Sequence, residues 1–171
     1  MLGVCQSSVV LAEIQGLDPA KAALAALLHD IAKETPNPEL ARDLARRGRP
    51  IDPEDEDYPK LWHALAAAVW AEQDFGVGDA EILEAIRLHP TADGPALPLA
   101  RVLFLADYTD PTRDWSGAAE LRRLARDDFD AAMAQAVRQK IEYVRSRGYA
   151  IHPRALRALE TYGAGACARL A

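Results

Sequence analysis

The stretch Leu27-Leu28-His29-Asp30-Ile31-Ala32-Lys33 places an imidazole and a carboxylate side by side in a segment of helical character. Four apolar residues recur here at the i, i+3, i+4, i+7 spacing of a core-facing stripe: Leu24, Leu27, Leu28 and Ile31. The opposite side of such a helix carries alanines together with His29, Asp30 and Lys33. Because a buried carboxylate is costly unless it is paired or binds a cation, Asp30 needs a partner, and we expect a metal ion.

The composition of the chain favours one helical domain. Its 171 residues, half of them hydrophobic, are enough for a single domain with its own core. Alanine is frequent, aromatic residues are sparse, and apolar residues recur at helical rather than alternating spacing. We therefore predict an all-α bundle that spans residues 1–171 as one domain.

Charge and composition also limit the functional class. No apolar stretch approaches the roughly 20 residues that a bilayer requires, and the N-terminus lacks the basic region of a secretory signal. Cys5 and Cys167 are far apart and have no CxxC companion, which fits a reducing cytoplasm. The net charge of −6 weighs against a nucleic-acid surface, but divalent cations would still allow a polyanionic small ligand to bind.

Start and stop signals predict a series of helices along the chain. The first helix runs from Leu2 to about Gln15 without an N-cap, and Asp18-Pro19 starts a second one that continues to Thr35. Further helices are expected at residues 39–47, 60–75, 79–89, 97–108, twice within 117–148 with a break near Asp127, and at 153–170. The acidic run at residues 52–57 is predicted to be a solvated loop.

Three more polar residues stand out in apolar helical segments: His63, His89 and Asp107. Taken singly, each histidine is more often a satisfied core residue than a metal ligand. Together with His29 and Asp30, they supply five nitrogen and oxygen donors on four helices. Such a set suits one or two borderline divalent ions, Fe, Mn, Co or Zn, rather than a thiolate zinc site.

These features resemble the HD-domain metal phosphohydrolases, whose name comes from the adjacent His-Asp pair. Within them the sequence is most similar to the YqeK family of symmetrical diadenosine tetraphosphate hydrolases. The matching stretches are LLHDIAK at 27–33, WHA at 62–64, FGVGDAEILEAIRLH at 75–89 and LFLADYTDPTRD at 103–114. The resemblance implies an HD-domain helical bundle, and it extends from Gly3 to about Pro153.

The resemblance also implies a two-metal site. His29, Asp30 and Asp107 would hold the first metal ion, which we expect to be iron, and Asp30, His63 and His89 the second. Lys33 would direct a cation into the site and assist catalysis beside Asp30. Arg113 would bind phosphate oxygens through its planar guanidinium. The alternatives are an ordinary Asp30–Lys33 helix pair and a surface arginine.

Two departures from the family pattern bear on this transfer. The usual His-Thr-Thr-Gly is replaced by His89-Pro90-Thr91-Ala92, which loses a glycine, although Thr91 can keep a phosphate contact. Family members also carry a metal-binding histidine that would fall immediately before Met1. Together with the uncapped first helix, this leads us to expect that part of the N-terminal helix is missing; the alternative is a lost ligand.

The activity implied by the resemblance is hydrolysis of a dinucleoside polyphosphate, with two ADP formed from diadenosine tetraphosphate. One alternative is an HD-domain phosphohydrolase of another nucleotide or an alarmone. Another is a regulatory module that binds nucleotides without turnover at an incomplete metal site. In each case the partner is a small nucleotide, and neither nucleic acid nor a membrane is expected. The sequence leaves the oligomeric state open, a homodimer included.

Overall fold

The computed structural model describes residues 2–163, and every regular element in that range is a helix, as predicted. The α-helices of this range are α1 (Leu2–Ile14), α2 (Pro19–Leu28), α3 (Asn37–Arg46), α4 (Trp62–Gln73), α5 (Ala80–Leu88), α6 (Pro98–Tyr108), α7 (Ala118–Asp127), α8 (Phe129–Ser146) and α9 (Pro153–Gly163). A 3₁₀ turn at Pro59–Leu61 precedes α4. The predicted continuation of the last helix to Leu170, and Cys167, lie outside the described residues.

Helix capping follows the sequence signals closely. Asp18 accepts a hydrogen bond from the backbone N–H of Ala20 at 2.8 Å, and Asp79 caps α5 in the same way. Asp128 has an extended backbone and caps α8 through the N–H of Ala131. The break predicted near Asp127 is therefore present, and the helices begin where an acidic side chain satisfies free backbone N–H groups.

The second helix ends earlier than predicted, at Leu28 rather than Thr35. Beyond it the backbone continues in tighter turns, in which the N–H groups of Ile31, Lys33 and Thr35 bond to carbonyls three residues earlier. Such i→i+3 turns often finish an α-helix. As a result, His29 and Asp30 stand at the end of α2 rather than in its middle.

The buried face of α2 is only partly the predicted one: of the predicted stripe, Leu28 is buried and Ile31, just beyond the helix, packs against the core. Ala22, Ala25 and Ala26 are almost fully buried, whereas Leu24 and Leu27 are 39% and 42% exposed. Periodicity identifies the two faces but cannot distinguish which is buried when the polar side of a helix is mostly alanine. The small side chains allow neighbouring helices to pack closely against α2.

The helices pack so that three helix ends meet. The first helix contacts α2 and α6, and α5 lies between α4 and α6 while also contacting α2. The pair α8 and α9 packs together, with α8 also against α6. This arrangement brings the C-terminal ends of α2, α5 and α6 to one place. None of the helices within residues 2–163 has the length and apolar character needed to span a membrane.

The acidic run at 52–57 was predicted to be a solvated loop. This is wrong for Asp55, which is buried. Its Oδ1 accepts hydrogen bonds from the guanidinium of Arg154 and from His152 Nε2, the latter at 3.0 Å. His152 Nδ1 in turn accepts the backbone N–H of Arg154 at 3.0 Å. This buried triad joins the loop to the start of α9, and sequence periodicity gives no sign of such a long-range pair.

The pKa of His152 should make the stability of the protein depend on pH. Burial, together with the charge of Arg154, lowers this pKa from its ordinary value of 6.5. The unfolded chain therefore takes up a proton near pH 6.5 that the folded protein does not, and the stability due to neutral His152 is lost as the pH falls below that value. We expect His152→Gln to lower the melting temperature at pH 7.5.

The difference in melting temperature between wild type and His152→Gln should shrink toward pH 5, because glutamine does not titrate. Thermal denaturation across this pH range measures the difference directly, and contributions from other histidines cancel in it. A difference that stays constant or grows at acidic pH would contradict this role for His152.

Candidate metal centre

Two of the predicted ligands lie at helix C-termini. His29 and His89 are the C-cap residues of α2 and α5, and both keep a right-handed helical backbone. The Nδ1 of His29 lies 2.6 Å from the carbonyl oxygen of Ala26, and that of His89 lies 2.8 Å from the carbonyl oxygen of Ile86. A carbonyl only accepts, so each Nδ1 carries the proton and donates it. Both imidazoles thus present an unprotonated Nε2 beyond the helix end.

The third histidine has the same orientation on another helix. His63 lies in the first turn of α4, and its Nδ1 donates to the carbonyl oxygen of Lys60 at 2.9 Å. Hydrogen bonds of this kind between Nδ1–H and a backbone carbonyl are typical of histidines that bind metals through Nε2. They fix the tautomer and the orientation of the ring.

The free acceptor atoms converge on Asp30. Its Oδ1 lies 3.5 Å from Nε2 of both His63 and His89, and its Oδ2 lies 3.4 Å from Nε2 of His29. The Nε2 atoms of His63 and His89 are 3.4 Å apart. Asp107 completes the group, with Oδ1 3.9 Å from His29 Nε2. The structure therefore brings together all five predicted metal ligands.

The unpartnered acceptor atoms of this arrangement fit divalent metal ions. His29 Nε2 and Asp30 Oδ1 are buried and have no hydrogen-bond partner within the described residues. Donor atoms of His29, Asp30 and His89 all lie within 4.8 Å of one another. With Nδ1 protonated, the facing nitrogen and carboxylate atoms can only accept, so nothing among them satisfies their lone pairs. A cation bound between them does so.

The surroundings keep two of the histidines neutral and attract cations to the site. Burial, reinforced by the charge of His89, lowers the pKa of His63 to about 4. Burial also lowers the pKa of His89. Both rings are consequently neutral near pH 7, as metal ligands must be. The C-terminal ends of α2 and α5 add the negative end of each helix dipole, which favours cations.

The pKa values of His29 and Asp30 are shifted by their contact with each other. Burial lowers the pKa of His29, but the adjacent Asp30 carboxylate outweighs it, so the net shift is upward. Burial acts against ionisation of Asp30, yet the imidazoles of His29 and His89 beside it and the ammonium of Lys33 hold its pKa well below the ordinary value. The carboxylate is therefore ionised. A proton and a metal ion compete for the same nitrogen of His29.

The two predicted cationic residues lie at the rim of the cluster. Lys33 Nζ is 2.6 Å from Asp30 Oδ2, and Arg113 Nη2 is 3.3 Å from Asp107 Oδ1. The ordinary ion pair considered as an alternative for Lys33 is thus present. Both side chains remain about half exposed, at 51% and 47%. Their charged ends are accessible to a ligand that approaches the metal ligands.

The segment that departs from the family pattern lies next to His89. Thr91 is buried, and its Oγ1 has no hydrogen-bond partner within the described residues. Ala92 has φ 51°, a left-handed conformation that favours glycine. The backbone at this position therefore keeps the geometry suited to the family's glycine, although a methyl group is now buried there.

One cation near the cluster was not found from the sequence. Lys140 on α8 is half-buried; burial lowers its pKa, while the charge of Asp107 acts in the opposite direction. Its Nζ lies 5.9 Å from the ring of Tyr108. In the sequence it is one of several basic residues on a polar helix, and no local signal distinguishes it. Only the packing of α8 against α6 brings it to the site.

Replacing the central carboxylate should remove metal binding without unfolding the protein. Asp30 contacts all three histidines, so Asp30→Ala should reduce the bound Mn or Fe, measured by elemental analysis after dialysis, by about tenfold or more. The circular dichroism spectrum should remain helical. Asp114→Asn, an exposed carboxylate in the segment after α6, should bind metal as wild type does. Unchanged metal content in Asp30→Ala would exclude this cluster as the binding site.

Comparison with known proteins identifies the family of this chain. The chain is 34% identical over 152 residues to the symmetrical bis(5'-nucleosyl)-tetraphosphatase of Bacillus subtilis, covering 89% of this chain and 81% of the relative. It is 31% identical to the protein of the same name from Halalkalibacterium halodurans, with the same shares covered.

A crystal structure from Clostridium acetobutylicum shares the fold, with a TM-score of 0.89 and 31% identity over 95% of this chain and 86% of that one. That protein is described as a predicted HD superfamily hydrolase involved in NAD metabolism. The sequence profile of the HD domain family matches residues 1–112, which contain all five clustered ligands. The chain therefore belongs to the HD domain family, in the group that includes the symmetrical bis(5'-nucleosyl)-tetraphosphatases.

Proposed function

We propose that the protein is a cytoplasmic, metal-dependent phosphohydrolase that cleaves diadenosine tetraphosphate symmetrically into two ADP. The observation that carries this proposal is the cluster of metal-accepting atoms around Asp30, in a chain 34% identical to a symmetrical bis(5'-nucleosyl)-tetraphosphatase. The likeness supports the substrate, and the cluster supports the chemistry. Residues 1–171 would form a single HD domain.

The ligands are proposed to divide between two metal ions. His29, Asp30 and Asp107 would hold the first ion, and Asp30, His63 and His89 the second. Their nitrogen and oxygen donors suit borderline divalent ions, and we propose iron, with Mn, Co and Zn as alternatives. When bound, such ions lower the pKa of a water molecule and polarise phosphoryl oxygens.

The protein's own cations would bind the substrate's phosphate chain. Lys33 and Arg113 each contact a metal-ligand carboxylate and remain half exposed. In the metal-bound protein these carboxylates share their charge with the ions, which leaves Lys33 and Arg113 available to phosphate oxygens. The planar guanidinium of Arg113 can grip two such oxygens at once. Lys33 would stabilise the negative charge that develops on the attacked phosphoryl group.

Thr91 is proposed as a further phosphate contact. Its buried hydroxyl has no partner within the described residues and follows the metal ligand His89 by two positions. A hydroxyl donates one hydrogen bond, so a phosphate oxygen that reaches this position would satisfy it. This would preserve one polar contact of the family's His-Thr-Thr-Gly segment.

Product analysis tests the function most sharply. Incubation of the Mn- or Fe-loaded protein with diadenosine tetraphosphate should yield ADP alone, resolved by anion-exchange chromatography. AMP with ATP would show asymmetric cleavage, and turnover of an alarmone but not of this substrate would favour the first alternative activity. Tight binding without any product would favour a regulatory module.

Lys33→Met should retain the side-chain length but remove the charge, and we expect kcat/KM for this substrate to fall by about 10²-fold. Metal content should stay normal because Lys33 is not itself a ligand. Arg126→Met, an exposed cation on α7, serves as the matched control and should be as active as wild type. Wild-type activity in Lys33→Met would exclude the proposed catalytic role.

A further inference from the structure

A cavity of about 520 Å³ lies directly beside the candidate metal ligands around Asp30, between the 3₁₀ turn, α8 and the beginning of α9. His63 and Thr91 form part of its lining, so the cavity adjoins the metal ligands. Its volume is within the range of about 300–1,000 Å³ that is usual for small-molecule sites. The other residues proposed above to bind metal or phosphate do not line it.

The cavity is lined by aromatic and aliphatic side chains that are held in place. Tyr58 packs edge-on against His152, with ring centroids 4.4 Å apart, and its hydroxyl donates to the carbonyl oxygen of Ile151 at 3.4 Å. Tyr149 lies under Lys60, whose Nζ is 3.4 Å from the ring centroid. Aromatic surfaces of this kind stack on nucleobases, at about 1–3 kcal/mol per base.

The buried triad of Asp55, His152 and Arg154 packs against this lining through the contact between His152 and Tyr58. His152 is fixed by its hydrogen bond to Asp55 at 3.0 Å and is itself the surface on which Tyr58 rests. The triad thus joins the loop that precedes the 3₁₀ turn to the start of α9. The cavity is therefore a preformed feature of the fold.

Lys140 lines the same cavity, and its charge interacts with that of the candidate metal ligand Asp107. It makes no hydrogen bond or ion pair with any residue of the described range, although the charge of Asp107 acts on it. An ammonium group with an aromatic ring at 5.9 Å, but without an ion pair within the described residues, suits a ligand that carries negative charge at this end. A base at the tyrosines and phosphates near Lys140 would satisfy both parts of the cavity.

We infer that this cavity is the subsite for one nucleoside of the substrate, with Lys140 binding the phosphates that lead from it to the metal ions. The inference rests on the proposed function for the identity of the phosphate chain. It adds the residues that recognise the base and a cation that contacts the substrate. The chemical class of ligand is a nucleoside 5'-diphosphate unit.

Binding of ADP and of inorganic pyrophosphate to the Mn-loaded protein separates the two parts of this subsite. Val144→Trp should fill the cavity and weaken ADP binding by about tenfold, the equivalent of about 1.4 kcal/mol, while pyrophosphate binding should not change. Lys140→Met should weaken both ligands to a similar extent. Isothermal titration calorimetry measures both affinities for the wild type and for each variant.

Leu156→Trp is the matched control, because this leucine is exposed on α9 and does not line the cavity. If Val144→Trp does not fold, Tyr149→Ala, which alters a partly exposed wall, should weaken ADP alone. Equal ADP affinity in wild type and both cavity variants would overturn the nucleoside subsite. Unchanged affinities in Lys140→Met would remove Lys140 from it.

These affinities do not depend on turnover. A protein that binds ADP as described but does not release ADP from diadenosine tetraphosphate would fail the proposed function and keep the subsite. A protein that hydrolyses this substrate and binds ADP without regard to the cavity would keep the function and lose the subsite.

Discussion

The structure depends on a group of atoms that can only accept hydrogen bonds. Each of the three histidines donates its Nδ1–H to a backbone carbonyl, which leaves three Nε2 atoms facing the carboxylate of Asp30. Without a positive charge between them, these lone pairs oppose one another in a buried place. The C-terminal ends of α2 and α5 point at the same place. Their negative dipole ends raise this cost further and strengthen the attraction of the site for a cation.

The features around this cluster follow from the same packing. Small alanines on α2 allow its neighbours to approach, and the early end of that helix orients His29 and Asp30 together. Cations gather around the carboxylates, two at the exposed rim and Lys140 beside the cavity. A polyanion would thus meet positive charge on several sides, despite the net charge of −6 of the whole chain.

That the five polar side chains cluster could be predicted from the sequence, because each lies in an apolar helical segment, where an unpartnered polar group is costly. The caps at Asp18, Asp79 and Asp128 could be predicted because capping is local. The exposed Leu24 and Leu27 could not, since an alanine face and a leucine face are equally apolar. Neither could Asp55 with His152, nor Lys140, because only tertiary packing brings distant segments together.

Anomalous diffraction from crystals of the Mn-loaded protein tests the central claim most directly, because it locates the ions without reference to activity. The account predicts anomalous peaks about 2.0–2.3 Å from His29 Nε2, from the Nε2 atoms of His63 and His89, and from an oxygen of Asp30. Full metal occupancy at another position, with no peak among these atoms, would contradict it.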